Sequence, residues 1–308
     1  MAWVYDFRKF KRELPEEWRG LVPTEVFINE SMRLVEAADK RGIPLRILGG
    51  LAIAIHSPEA KDTAIKLKRT GTGSEGQEYS DIDLMSYSKY KGNAERFFAE
   101  ERYVMRTTTL PSAYSQRQIY YHPRGWFYVD LFRDKLLVAN HPLDFRGRLE
   151  LDYPTVPLAD LLLEKIQIWE AFSEKDLKDC LILLKAHDVG DGQDEVNGSY
   201  IAQLLGSDWG FWYTATTNLR RIRDLIERVD EVGRKVGIGS NALIEKDRED
   251  IIGKIDLFLK LIDEEPKSLK WKMRSKIGTK KIWYNMVERP ETVGGFGIWE
   301  PISVKGEG

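Results

Sequence analysis

The sequence predicts an α+β domain built on a mixed sheet, followed by an all-α helical domain, with residues 1–155 in the first and 156–308 in the second. Three observations carry this prediction. Asp81-Ile82-Asp83-Leu84 and Trp126-Phe127-Tyr128-Val129-Asp130-Leu131-Phe132 alternate at the period of a strand. An apolar run over residues 43–48 ends on Gly49-Gly50 and leads into Leu51-Ala52-Ile53-Ala54-Ile55-His56, small and apolar enough for a buried helix. From Leu158 onward, apolar residues recur at helical spacing.

In chain order, residues 1–20 are rich in Arg, Lys and aromatics, and Leu14-Pro15-Glu16-Glu17 opens a short helix that packs on the body. Residues 24–41 form a helix capped by Thr24, with Val26, Phe27, Met32, Leu34, Val35 and Ala38 on its apolar face and Gly42 as its stop. Residues 43–48 are a strand. Residues 58–80 read as a long connection whose Lys61, Lys66, Lys68 and Arg69 precede a glycine-rich run, predicting a mobile basic loop. Residues 93–101 are a helix; 103–109, 117–122 and 125–132 are strands, and 149–153 add an edge strand. His56 is a structural or surface histidine, and Cys180, the single cysteine, lies among Leu177, Leu181 and Leu184 as a packed, inert thiol.

The second half predicts helices burying Leu158, Leu161, Leu162, Ile166 and Trp169, then Leu219, Ile222, Leu225 and Ile226, then Ile251, Ile255, Phe258 and Ile262. Residues 188–198 are an acidic, glycine-rich hinge. The aromatics at 209–213 read as core packing of a helical domain. Lys165 sits on an apolar stripe and needs an anionic partner, and Ser173-Glu174-Lys175-Asp176 fits a helix-start box. Residues 294–297 and 305–308 are loop and tail.

The chemistry lies in the acids. Strand geometry puts Asp81 and Asp83 on one face, with Ile82 and Leu84 on the other, and two neighbouring carboxylates repel unless a cation lies between them. Asp130 interrupts a run otherwise fit for burial, which is costly unless the acid is paired, hydrogen-bonded or metal-bound. Three such acids on neighbouring strands make an oxygen cage suited to Mg²⁺ and a phosphate substrate. The bland alternative is a polar strand edge and an ordinary Gly-Gly turn.

Taken in order, the apolar run, Gly49-Gly50, the helix, the Asp81-Ile82-Asp83 strand and the Asp130 strand resemble the nucleotidyltransferase superfamily of DNA polymerase β. Within it the chain is most similar to AbiEii-type minimal nucleotidyltransferases, because Leu162-Leu163-Glu164-Lys165 followed by Lys175-Asp176-Leu177-Lys178-Asp179 looks like their fourth motif, with Lys175 where arginine is usual. The resemblance implies a nucleotidyltransferase palm and transfer of an NMP from an NTP such as ATP to an acceptor hydroxyl, with release of pyrophosphate. It implies that Asp81 and Asp83 hold two Mg²⁺ ions, Mn²⁺ serving in their place, and that Asp130 binds the metal that activates the acceptor. By the same resemblance Gly49, Gly50 and Lys165 hold the β- and γ-phosphates, and Asp176 orders the site.

Composition narrows the setting. With 42% hydrophobic and 31% charged residues and no apolar run of membrane-spanning length, the chain reads as a soluble, cytoplasmic protein without a membrane partner. One cysteine excludes an internal disulfide and a cysteine-based zinc site. A net charge of −2 confines any nucleic-acid surface to a local patch. Lys270, Lys272 and Arg274, interleaved with Trp271, form such a patch, which reads equally as a basic, solvated helix end or as a surface for RNA or tRNA as acceptor. Relatives that modify aminoglycoside-like small molecules or proteins share the palm, so those acceptors stand as alternatives. A non-catalytic nucleotide- or RNA-binding module is the second class of reading, and an antitoxin partner follows only from the likeness to AbiEii.

Overall fold

The computed structural model describes residues 14–69, 77–106, 117–137, 140–170, 172–239 and 241–286. The chain divides into two units: Met1–Ile55, Thr70–Leu137 and Asp144–Pro157 in the first, and His56–Arg69, Val138–Leu143 and Leu158–Gly308 in the second.

The first unit is α+β. Its sheet runs β1 (Arg46–Ile47), β2 (Asp81–Ser86), β5 (Tyr128–Arg133), β4 (Arg117–Tyr121) and β3 (Val104–Met105), in that order, and β6 (Lys135–Leu136) turns back on β5. β2 and β5 are parallel and the other pairs antiparallel, so the sheet is mixed. Ile82, Leu84, Val129 and Leu131 are fully buried on one face. There Phe98 of α4 (Lys91–Glu100) stacks on Tyr120 at 4.2 Å, and Phe27 of α1 (Thr24–Asp39) packs 4.9 Å from Phe127. Each of those four aliphatic side chains contributes about 1.5–3 kcal/mol on burial. A one-residue slip would exchange them for carboxylates, so the hydrophobic face pins the register that the acids on the other face require.

The second unit is helical. It comprises α3 (Lys61–Leu67), α5 (Leu158–Ile166), α6 (Glu174–Ala186), α7 (Gly198–Ser207), α8 (Trp209–Glu227), α9 (Val229–Val232), α10 (Glu245–Glu264) and α11 (Leu269–Ser275). Leu161, Leu181, Leu219, Ile222, Ile255 and Phe258 make its core. Trp209 is buried and stacks on Tyr213 at 5.3 Å at the start of α8, as core packing requires.

Several local expectations change. Residues 58–67 are a short 3₁₀ turn and α3 rather than a loop, because Thr63 and Leu67 bury one side of the helix; the glycines at 71, 73 and 76 lie outside the described residues. Residues 149–153 are turn and bend, and instead Thr155 bridges to Ile47. Pro23 takes the cap position of α1, while the Thr24 hydroxyl donates to Glu78. In the hinge region, Val189–Gly190 pairs with Val196–Asn197, and Asn197 caps α7 by accepting from Tyr200 N at 2.8 Å. The sequence features at 1–13 and 287–308, including the glycine-rich loop and tail, also lie outside the described residues.

Candidate metal centre

The parallel pairing of β2 and β5 puts Asp83 directly opposite Asp130, and Asp81 opposite Tyr128. One carboxylate oxygen from each of Asp81, Asp83 and Asp130 lies within 4.8 Å of the others. Asp81 and Asp83 are half-buried, whereas Asp130 is only 3% exposed. The Ser80 hydroxyl donates to Asp81 Oδ1 at 2.9 Å.

Gly49 opens α2 (Gly49–His56) beside this cluster with a left-handed φ of +72°, and a Cβ there would stand 2.9 Å from Asp83 Oδ2. Glycine is thus required twice, by the backbone and by the approach of the carboxylate. The first residue of α2 thus lies beside the Asp83 carboxylate, and Leu48 N anchors the strand by donating to Asp83 O at 3.1 Å.

Arg117 of β4 is the residue sequence reasoning passed over. Its Nε and Nη2 donate to Asp130 Oδ1 and Oδ2 at 3.1 and 2.6 Å, a two-pronged pair. Burial raises the Asp130 pKa above the usual carboxylate range; Arg117 and Arg106 oppose the shift, and the nearby Asp81 carboxylate adds to it. Carboxylates alone make a hard-oxygen donor set that fits Mg²⁺ or Mn²⁺, and the missing Cβ at Gly49 leaves space beside Asp83 Oδ2.

Lys165 and Asp176 come together in the second unit. Lys165 Nζ lies 2.8 Å from Asp179 Oδ2 and 3.3 Å from Asp176 Oδ1, and Arg69 donates through Nε to Asp179 Oδ1 at 2.6 Å. All four side chains are buried. Burial disfavours the Lys165 ammonium, yet Asp179 and Asp176 outweigh it and raise its pKa. Burial also works against the Asp179 carboxylate, and Arg69 and Lys165 overcome it and hold its pKa well below the ordinary range. Asp176 also completes the helix-start box: its amide donates to Ser173 Oγ at 3.2 Å, and its Oδ2 accepts from Ser173 N at 3.2 Å.

On the basic stretch, Arg274 is engaged internally. It donates to the carbonyls of Gly278, Lys281 and Ile282 and lies over the Trp209 ring at 4.8 Å. Lys270 and Lys272 are exposed on α11. Among the described residues no helix is long and apolar enough to cross a membrane.

No protein-family model and no curated protein matches the chain. Among solved structures, the solution structure of the antibiotic-resistance factor ANT(2'')-Ia is similar with a TM-score of 0.26 and 16% identity, covering 46% of this chain and 70% of that one. A likeness of that size carries no weight for function, which rests on the site itself.

Proposed function

We propose that the protein is a metal-dependent nucleotidyltransferase that moves an NMP from an NTP to an acceptor hydroxyl. The convergence of Asp81, Asp83 and Asp130 within 4.8 Å beside a glycine that opens a helix carries this reading. Asp81, Asp83 and Asp130 would hold a divalent metal, which when bound would supply charge stabilisation at the α-phosphate and ease loss of the acceptor hydroxyl's proton.

The chain's own residues supply the rest. Gly49 and Gly50 let backbone N–H groups approach the phosphates at the start of α2. Asp81 and Asp83, half-buried, are the acids assigned to the metal ions, and Asp130, 3% exposed and paired with Arg117, is assigned to the metal at the acceptor. The resemblance puts Lys165 at the phosphates and has Asp176 order the site; since the Lys165 ammonium is committed to Asp176 and Asp179, we assign the pair to ordering α5 against α6. RNA is the proposed acceptor, with Lys270 and Lys272 following its phosphates and Arg274 holding the segment that presents them.

Pyrophosphate release tests this reading. With Mg²⁺, NTPs and total cellular RNA, release is expected from the wild type and lost in Asp81→Asn and Asp83→Asn. NTP binding indifferent to metal and to both substitutions, without release, would mean a binding module instead.

A further inference from the structure

Arg117 and Asp130 pose a conflict within the proposed site. Both Asp130 oxygens are taken by the guanidinium, at 3.1 and 2.6 Å, yet this is the carboxylate that must turn to a metal. Each carboxylate oxygen keeps a second lone pair, but a divalent ion on Asp130 and the adjacent guanidinium repel each other as like charges, which weakens metal binding while the pair is made. Separating the pair relieves the repulsion, and burial points to the partner that moves: both residues lie on strands, but the Asp130 side chain is 4% exposed whereas the Arg117 side chain, whose guanidinium also lies 5.5 Å from the Phe132 ring, is 26% exposed.

We infer that Arg117 is a displaceable counter-cation that closes Asp130 to metal until the triphosphate arrives and takes up the guanidinium. This rests on the nucleotidyltransferase reading and adds an order of binding to it. The charge inventory supports the coupling. Among the described residues, the three clustered carboxylates have Arg117 and Arg106 acting on Asp130, a net charge of −1. Two divalent ions alone would drive that to +3, whereas the same ions with a triphosphate of about −4 return it to −1, which relieves the self-repulsion of the metal-loaded site. A guanidinium fork fits a phosphate as well as it fits a carboxylate, so Arg117 exchanges one anionic partner for another. Arg117 is therefore a positioning residue: it acts through Asp130 in the free protein and toward the phosphates in the loaded one.

Linkage makes the proposal measurable, because an order imposed by Arg117 is a coupling free energy between metal and nucleotide. The test is Mn²⁺ titration of the full chain, followed by the EPR signal of free Mn²⁺, with and without a non-hydrolysable α,β-methylene NTP analogue. In the wild type the analogue is expected to tighten Mn²⁺ binding about tenfold or more. In Arg117→Gln, Mn²⁺ binds more tightly than in the wild type without analogue, and the coupling shrinks toward one. Arg117→Lys, which keeps the charge but loses the fork, falls between them, and it carries the test if Arg117→Gln does not fold by circular dichroism. Mn²⁺ affinity in these variants equal to or weaker than wild type overturns the inference and leaves the nucleotidyltransferase reading in place. Absence of Mn²⁺ binding in the wild type, with or without analogue, overturns both.

Discussion

Gly49 and Asp83 stand so close that a Cβ on the glycine would lie 2.9 Å from Asp83 Oδ2. Gly49→Ala therefore strains the backbone at φ +72° and pushes Asp83 off its position. The expected cost is about 1–2 kcal/mol from the left-handed backbone alone. Urea unfolding would read that cost, and divalent-metal affinity is expected to fall with it. Unchanged metal affinity in a folded Gly49→Ala would separate the glycine from the acid site.

The buried Lys165–Asp179–Arg69 network predicts an asymmetric response. Asp179→Ala leaves two buried cations short of a partner and is expected to cost about 3–5 kcal/mol. Replacing Lys165 and Asp179 together by apolar residues of similar size is expected to cost less than the sum of the single changes, a coupling that a double-mutant cycle in urea measures. Additive costs would show that the two side chains do not interact.

Three buried histidines set an acid-side stability slope, His187 among them with its pKa lowered by burial. Burial lowers the pKa of His122 and of His141 to about 4 from an ordinary 6.5, with Arg124 and Arg33 adding to the shift at His122 and Glu30 opposing it, and Asp208 opposing it at His141. The unfolded chain then binds protons below about pH 6.5 that the folded chain refuses until about pH 4, so the histidine contribution to stability falls as pH drops through that window and levels off below it, where the paired carboxylates take over the decline. Denaturant midpoints at closely spaced pH values between 7 and 4 would trace the slope. His141→Gln should flatten it, because the ring that stacks on Phe211 and meets Thr214 Oγ1 at 2.8 Å no longer titrates.

The basic stretch divides into surface and strut. Lys270→Glu with Lys272→Glu is expected to leave stability within about 0.5 kcal/mol of wild type, as exposed positions do. It should weaken RNA binding and lower its salt dependence. Arg274→Ala should lower the thermal midpoint instead, by removing three carbonyl partners and the contact with Trp209. RNA binding insensitive to the lysine reversals would favour a small-molecule acceptor.

Much of the fold was legible because period-two alternation shows which side chains share a face. Ile82, Leu84, Val129 and Leu131 lie opposite Asp81, Asp83 and Asp130 without any knowledge of pairing. What alternation does not carry is register between strands. That Asp83 meets Asp130, and that Arg117 reaches diagonally across from β4 to the same acid, depends on how β4 and β5 align, and no local pattern in 117–121 marks it. The short helix α3 escaped notice because seven residues rich in charge bury only Thr63 and Leu67, too few to show a period. Arg69 went unread for a related reason: its partner Asp179 lies 110 residues away, and the basic run around it looked solvated.

A crystal of the full chain grown with Mn²⁺ and a non-hydrolysable NTP analogue offers the most direct test, through the anomalous scattering of manganese. The account predicts an anomalous peak within coordination distance of Asp81, Asp83 and Asp130, with the triphosphate against the Gly49-Gly50 end of α2. Manganese peaks elsewhere in a crystal that holds none among the three acids would contradict it.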